Sequence, residues 1–322
     1  MGGYSSEFPI SLKSGKTVCD HLNTEKYRSY PVIISQKGWF CELPDGTEKP
    51  VNKHDFTVDF EGKTIVFDAV FNTIHGTPGE NGLIQAYLEL MKIPQTTSGF
   101  YQSALTFNKR DTISVLKPYG IKTAVNFLIN KGDEINTEAI VAKVGLPCFV
   151  KANKAGSSFG ISKVYKEENL QSAIELSFKE DDEIIIESFL KGTEVSVGVI
   201  NYQGKVMALP VTEIVSDNDF FDYTAKYEGK SQEITPARIT KAQTLAVQKQ
   251  AETVFKILKL KGLTRAEFIF HNDEPHFLEV NTTPGLSPAS IIPQQAREAG
   301  ISLKDLFGAM IENTAPYPTK GE

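Results

Sequence analysis

The chain has 322 residues, 40% of them hydrophobic and 23% charged, with a net charge of −6. That length exceeds one small core and points to two or three units of roughly 100–200 residues each. The acidic balance, with no local Lys/Arg cluster to offset it, argues against a nucleic-acid partner, and no run approaches the roughly 20 apolar residues that span a bilayer.

The chain opens with MGGYSSEFPISLKSG. A glycine pair, small polar residues and then an apolar-periodic stretch usually follow a β-strand and start a helix, yet only Met1 precedes them. Tyr30–Ser35 and Thr64–Ile74 read as buried strands, and Gly82–Lys92 as an amphipathic helix ended by Pro94. Gln95–Gly99 is polar and turn-rich, a candidate boundary. Helix is expected over Gln102–Leu116, strand over Lys122–Ile129, a short helix over Thr137–Val144 and strand over Pro147–Ala152. A Gly/Ser turn follows, then a strand at Ile161–Tyr165, a helix near Glu167–Phe178 and an apolar strand at Ile184–Phe189. Lys191–Gly192 marks a second boundary. Strands Val195–Ile200 and Val206–Val215 are joined by the turn Tyr202–Gly204. Ser216–Ala237 has no sustained period, and so long a segment in a compact domain reads as a functional lid; its aromatics Phe220, Phe221, Tyr223 and Tyr227 favour an ordered one. Ile239–Leu260 is a long helix. Thr264–Phe270 and His276–Gly285 are strands joined at Asn272–Pro275, and a helix starts at Ile291. This alternation is that of an α/β protein, α+β in part.

The three cysteines, Cys19, Cys41 and Cys148, are scattered and odd in number. They fit a reducing cytoplasm better than a disulfide framework or a metal knuckle. The five histidines show no ligand spacing, and no secretory signal is visible. Gly2 and Ser6 satisfy an acylation pattern short enough to arise by chance.

Two stretches carry most of the chemistry. Side chains alternate along a strand, so Arg265 and Glu267 share a face of one strand and Glu279 and Asn281 share a face of its partner. Paired as a hairpin, these oxygens suit Mg²⁺ completed by phosphate; a half-exposed sheet with a solvated face gives the same pattern. NTTPGLSP adds backbone N–H groups leading into a helix, an anion or oxyanion site. NKAGSSFGISKV, with Lys151 before it, is a turn that folds over phosphates or is simply a hairpin. Glu187 ends an apolar strand and Glu194 follows seven residues on; without context, a strand-end glutamate in water is the plainer reading. Lys109, taken alone, reads as a surface lysine. His75 stands at the C-terminal end of a buried strand, where open α/β sheets bind ligands, or is satisfied by loop backbone.

Together, GGYSSEFPISLKSG, IHGTPGENGLIQAYLELMKIP, GLPCFVKANKAGSSFGISKV, FFDYTAKY and LEVNTTPGLSPASI resemble, in order and end to end, the D-alanine–D-alanine ligases of the ATP-grasp superfamily. The resemblance implies three domains, 1–97, 98–190 and 191–322, with a lid at 216–237. The first is Rossmann-like but lacks its expected first strand, which leads to the expectation of a true start upstream of Met1. It implies ATP-dependent joining of two D-alanines through an acyl phosphate for peptidoglycan synthesis. It also implies Mg²⁺ or Mn²⁺, two ions, a homodimer, and neither a nucleic-acid nor a membrane partner.

Residue by residue, Glu7 resembles the glutamate holding the first D-alanine's ammonium, His75 its companion, and Ser157 the serine linking that glutamate to the lid tyrosine, Tyr227. Lys109 and Lys151 resemble the lysines on the α- and β-phosphates and Lys226 the lid lysine on the γ-phosphate. Glu187 and Glu194 match the adenine and ribose contacts, and Glu267, Glu279 and Asn281 the metal ligands. Arg265 and the Gly285 N–H match the oxyanion pair, and Ser290 the serine on the second substrate's carboxylate. Glu267 replaces a common aspartate, and Ala152 and Ala155 depart from the common proline and glutamate. The alternatives are D-lactate or D-serine as second substrate, against which Lys226–Tyr227 speaks, and a non-catalytic nucleotide-binding protein.

Overall fold

The computed structural model describes residues 1–156, 160–216 and 231–314. In the N-terminal unit, helix α1 (Phe8–His21) precedes a three-stranded antiparallel sheet of β1 (Val32–Ser35), β2 (Gly38–Glu42) and β3 (Glu48–Pro50). A small hairpin, β4 (Val58–Phe60) and β5 (Lys63–Ile65), and helix α2 (Leu83–Leu90) follow. The glycine pair of the opening has a steric reason. Gly2 and Gly3 hold φ of +97° and +113°. A Cβ at Gly2 would lie 2.4 Å from the Ile34 carbonyl oxygen and one at Gly3 2.7 Å from Ile74. Neither conformation nor space admits a side chain. Gly2 bridges Ile34 in parallel, so the turn is seated on the edge of β1.

The strand expected over Thr64–Ile74 does not form. Only its first two residues belong to β5, and beyond them one parallel bridge joins Val70 to Gln95. An apolar cavity of about 620 Å³, lined by Val18, Val32, Ile34, Phe67, Phe71 and Ile84 among others, separates this segment from β1. A strand is defined by its ladder, and among the described residues no backbone ladder joins the two segments, although Phe67 packs edge-on to Tyr30 at 5.9 Å between ring centres.

Expected helix Gln102–Leu116 is two helices, α3 (Phe100–Phe107) and α4 (Lys109–Leu116). Asn108 between them is extended (φ −96°, ψ 102°) and its side chain accepts the Asp111 N–H, an N-cap in mid-pattern. The middle sheet has the order β6-β9-β7-β8 and is antiparallel throughout. Its strands are β6 (Asn126–Asn130), β7 (Cys148–Ala152), β8 (Ser162–Val164) and β9 (Glu183–Ser188), backed by α5 (Thr137–Val144) and α6 (Leu170–Ser177).

The third sheet contains β10 (Thr193–Tyr202), β11 (Lys205–Ala208), β12 (Thr212–Ser216), β13 (Ser231–Ile234), β14 (Leu263–His271) and β15 (Glu274–Asn281). The single strand expected over Val206–Val215 is interrupted at Pro210, which has no N–H for a ladder. Part of the segment expected to be structureless pairs with β12 as β13; residues 217–230 lie outside the described residues. Helix α7 (Lys241–Ile257) starts at a Thr240/Gln243 capping box. It packs Val247, Val254 and Phe255 on one face of the sheet, against Val195, Val197, Phe268 and Phe277. Helices α8 (Ile291–Glu298) and α9 (Leu303–Glu312) are the last elements among the described residues. Among the described residues no helix is long and apolar enough to cross a membrane.

Candidate active site

Burial alternates along β14, with Ala266, Phe268 and Phe270 turned to the α7 core and Arg265 and Glu267 to the opposite face. On β15 strict alternation would fail, because Phe277 and Val280 are both in the core although they are three residues apart. A bulge resolves this. Glu267 pairs with Glu279 and Phe268 with Phe277, leaving Leu278 as the extra residue. Bulges re-aim side chains in this way. Glu279 and Asn281 thereby come opposite Glu267 and Arg265 on the face away from α7.

That face carries one ion network shared between the middle and third sheets. Arg265 pairs with Glu267, and its Nη1 donates to Ser196 Oγ at 3.2 Å. Lys109, at the start of α4, lies 3.4 Å from Glu279 and donates to the Ala155 carbonyl at 2.8 Å. Its side chain is only 13% exposed, so the surface-lysine reading is corrected. Lys151 of β7 donates to Glu187 of β9 at 2.7 Å, and Glu187 is buried; the reading of a strand-end glutamate in water is corrected too. Burial opposes the Lys151 ammonium, but Glu187, then Glu279 and Glu194, outweigh it and hold its pKa above the ordinary lysine value. Burial first and the Glu267 carboxylate second push the Glu194 carboxyl up to about 8, against the pull of Lys151. Crowded acids short of cations behave in this way.

No three His, Cys, Asp or Glu side chains converge as a ready ligand set among the described residues. Two facing carboxylates and an amide oxygen, with Asn281 Oδ1 already accepting the Thr283 N–H at 2.7 Å, still fit Mg²⁺. That ion keeps waters and takes one or two carboxylates plus substrate phosphates. Thr283 Oγ1 beside them is buried without a partner among the described residues.

The other end of the site is built on α1. Glu7 stands at its N-cap, and its Oε2 would meet a Cβ placed on Gly76 at 3.5 Å and one on Gly156 at 3.3 Å. The carboxylate therefore lies between the His75–Gly76 loop and the glycine loop. His75 is buried, but no strand ends at it, and its Nε2 lies 3.3 Å from Ser14 Oγ. Gly285 would place a Cβ 2.9 Å from Ser290 Oγ, so the serine occupies the room the glycine leaves. Ser290 precedes α8 but shares its hydroxyl with Ser287 at 2.8 Å and does not cap the helix, leaving that terminus open to an anion. Ser157, Lys226 and Tyr227 lie outside the described residues.

Sequence reasoning passed over several residues. Ser14 is one. Glu80 is another; it is buried and accepts the Gly76 N–H at 2.7 Å. Asn153 is a third, and it ties the loop after β7 to α4 by accepting the Arg110 N–H at 2.8 Å and donating to Asn108 and Glu183. The signal for Ser14 was present in the serines three apart on a helix face that should be apolar.

The pattern described as the D-ala D-ala ligase N-terminus matches residues 1–98, and that of the D-ala D-ala ligase C-terminus matches residues 115–312. The chain is 65% identical over 312 residues to the D-alanine--D-alanine ligase of Christiangramia forsetii, covering 97% of this chain and 96% of that one. Among solved structures, the VanG D-Ala:D-Ser ligase of Enterococcus faecalis superposes with a TM-score of 0.86 at 30% identity, over 98% of both chains. The D-alanine--D-alanine ligase of Bacillus anthracis complexed with ATP superposes with a TM-score of 0.77 at 27% identity, over 98% of this chain and 95% of that one.

Proposed function

The chain belongs to the D-alanine–D-alanine ligase family, and from that premise we propose how its residues divide the reaction. The protein is an ATP-dependent ligase that joins two D-alanines for peptidoglycan synthesis, with the mixed α/β ATP-grasp fold. A carboxylate is a poor acyl donor because its leaving group would be hydroxide. Transfer of the γ-phosphoryl group of ATP to the first D-alanine's carboxylate gives an acyl phosphate and ADP. The amine of the second D-alanine then attacks the acyl carbon, phosphate leaves, and the amine's proton is lost.

Glu7 takes the first ammonium, with His75 beside it. Lys109 and Lys151 lie along the phosphates, Lys226 completes them from the lid, and Ser157 links Glu7 to Tyr227. Glu187 and Glu194 take the adenine and ribose. Glu267, Glu279 and Asn281 would hold Mg²⁺ or Mn²⁺, which when bound neutralises phosphate charge during transfer. Arg265 and the Gly285 N–H face the oxyanion of the tetrahedral intermediate, and Ser290 with the open α8 terminus takes the second carboxylate. The domains are 1–97, 98–190 and 191–322, with 216–237 as the lid that keeps water from the acyl phosphate; the three larger sheets fall one within each range. A cytoplasmic homodimer without nucleic-acid or membrane partners belongs to the same reading.

The observation that carries it is the register of β14 and β15, which sets Arg265 opposite Asn281 and Glu267 opposite Glu279. The E. faecalis relative uses D-serine by its name, so product identity is the test. Phosphate release with ATP, Mg²⁺ and D-alanine is measured with and without D-serine or D-lactate, and products are weighed by mass spectrometry. D-alanyl-D-alanine as the main product under competition supports the assignment; a D-serine or D-lactate product in its place overturns it. Glu7→Gln is expected to raise the KM of the first D-alanine by about 10-fold or more, the worth of a charge-assisted bond, with kcat less affected. An unchanged first KM removes Glu7 from its role.

A further inference from the structure

We propose that Ser14 is a positioning residue that holds the two amino-acid subsites in register; this rests on the ligase reading above. Helix α1 turns a polar face inward, with Ser11 and Ser14 both fully buried. Ser11 Oγ accepts the Gly2 N–H at 2.7 Å and donates to the Thr73 carbonyl at 2.8 Å, fixing the helix to the segment that leads to His75. Ser14 reaches further. Its Oγ lies 3.3 Å from His75 Nε2 and accepts the Leu286 N–H at 3.1 Å across 272 residues of sequence. Leu286 follows Gly285 and lies four residues before Ser290.

One hydroxyl thus touches His75, at the first subsite, and the loop that carries the oxyanion donor and the second subsite. Glu7 heads the same helix, two turns away. The acyl phosphate formed at the Glu7 end must meet an amine held at the Ser290 end. A misplacement of about 1 Å between reacting groups costs on the order of 10²-fold. An intermediate that waits is lost to water, which breaks the acyl–oxygen bond and returns D-alanine and phosphate.

The test is therefore stoichiometry. Phosphate and dipeptide are measured in one reaction at saturating ATP while D-alanine is varied. The wild type should release about one phosphate per dipeptide, the balance of the acyl-phosphate route. Ser14→Ala should release about two or more, with kcat/KM for the second D-alanine down roughly 10- to 100-fold and affinity for ADP unchanged. Ser14→Thr, which retains the hydroxyl, should lie nearer the wild-type ratio. Partial unfolding would lower both products together and leave the ratio at one. Should Ser14→Ala fail to bind ADP, Ser14→Cys, close in shape but a weaker hydrogen-bonding partner, carries the same measurement. A ratio of one in the folded variant overturns the role of Ser14 alone. A wild-type protein that makes no dipeptide overturns the ligase reading and this proposal with it.

Discussion

Arg265→Ala is expected to lower kcat by about 10²–10³, the cost of removing one donor aimed at a developing oxyanion. The KM for ATP should move far less. Arg265 is suited to this because its position is over-determined. It sits in the middle of β14 with Asn281 opposite, and its Nη1 is held by Glu267 and by Ser196 Oγ. Burial opposes its charge, and Glu267, Glu279 and Glu233 together more than restore it. Such a fork is preorganised and needs no reorientation as charge develops. The same burial complicates the experiment. Glu267 is only 15% exposed, and stripping its partner leaves a carboxylate in poor solvent, which destabilises by about 3–5 kcal/mol when the site is fully dry. Arg265→Lys separates the two effects. The lysine restores the charge and most of the melting temperature, but it has no planar fork to serve Glu267, Ser196 and the oxyanion together, so turnover stays low. Steady-state kinetics beside thermal melts decide the matter: wild-type turnover in folded Arg265→Ala would remove the oxyanion role.

Legibility in the sequence followed the range of the interaction. The helices with their own caps or period, Thr137–Val144 and Lys241–Ile257, formed close to where the pattern placed them. The β14–β15 hairpin was legible because its turn is two residues, Asn272 and Asp273, both at positive φ. Alternation put Glu279 and Asn281 on one face, as found. It gave no warning that Phe277 lies on the other, because a bulge is a property of the pair and not of either strand. Thr64–Ile74 failed for a related reason: its apolar run is real, but a ladder needs a neighbour that local sequence does not specify. Lys109 was misread because what buries it, the Ala155 carbonyl and Glu279, is 46 and 170 residues away. Ser14 was overlooked because a serine inside a helix is ordinarily solvated or bonded to its own turn, and its partner at Leu286 belongs to the other end of the chain. The motif glycines divide in the same way: a Cβ at Gly285 would meet the Ser290 side chain five residues on, whereas one at Gly76 would meet the Ser5 side chain 71 residues away.

Lys151→Met should destabilise the protein by about 3–5 kcal/mol, and adding Glu187→Gln should restore most of that without restoring catalysis. The pair is buried, with side chains 16% and 7% exposed and 2.7 Å between charges. Removing one member of such a pair leaves an uncompensated charge in a low-dielectric site, whereas neutralising both is close to neutral for stability. The loss in the single variant is sharpened by its surroundings, since Glu194 and Glu279 also draw on the Lys151 ammonium. Without it, Glu194, already pushed up to about 8, faces Glu267 with less relief. Glu187→Gln removes one of the stranded acids and leaves an amide able to pack in the same slot. The phosphate role proposed for Lys151 has no such substitute, because a methionine offers no charge to the β-phosphate. The double variant should therefore melt near the wild type yet keep a kcat/KM for ATP reduced by at least about 10²-fold. Denaturant melts and ATP kinetics on the two single variants and the double give the full cycle. If the double variant regained activity along with stability, Lys151 would be a structural partner of Glu187 only, and the phosphate path would have to run through Lys109 without it.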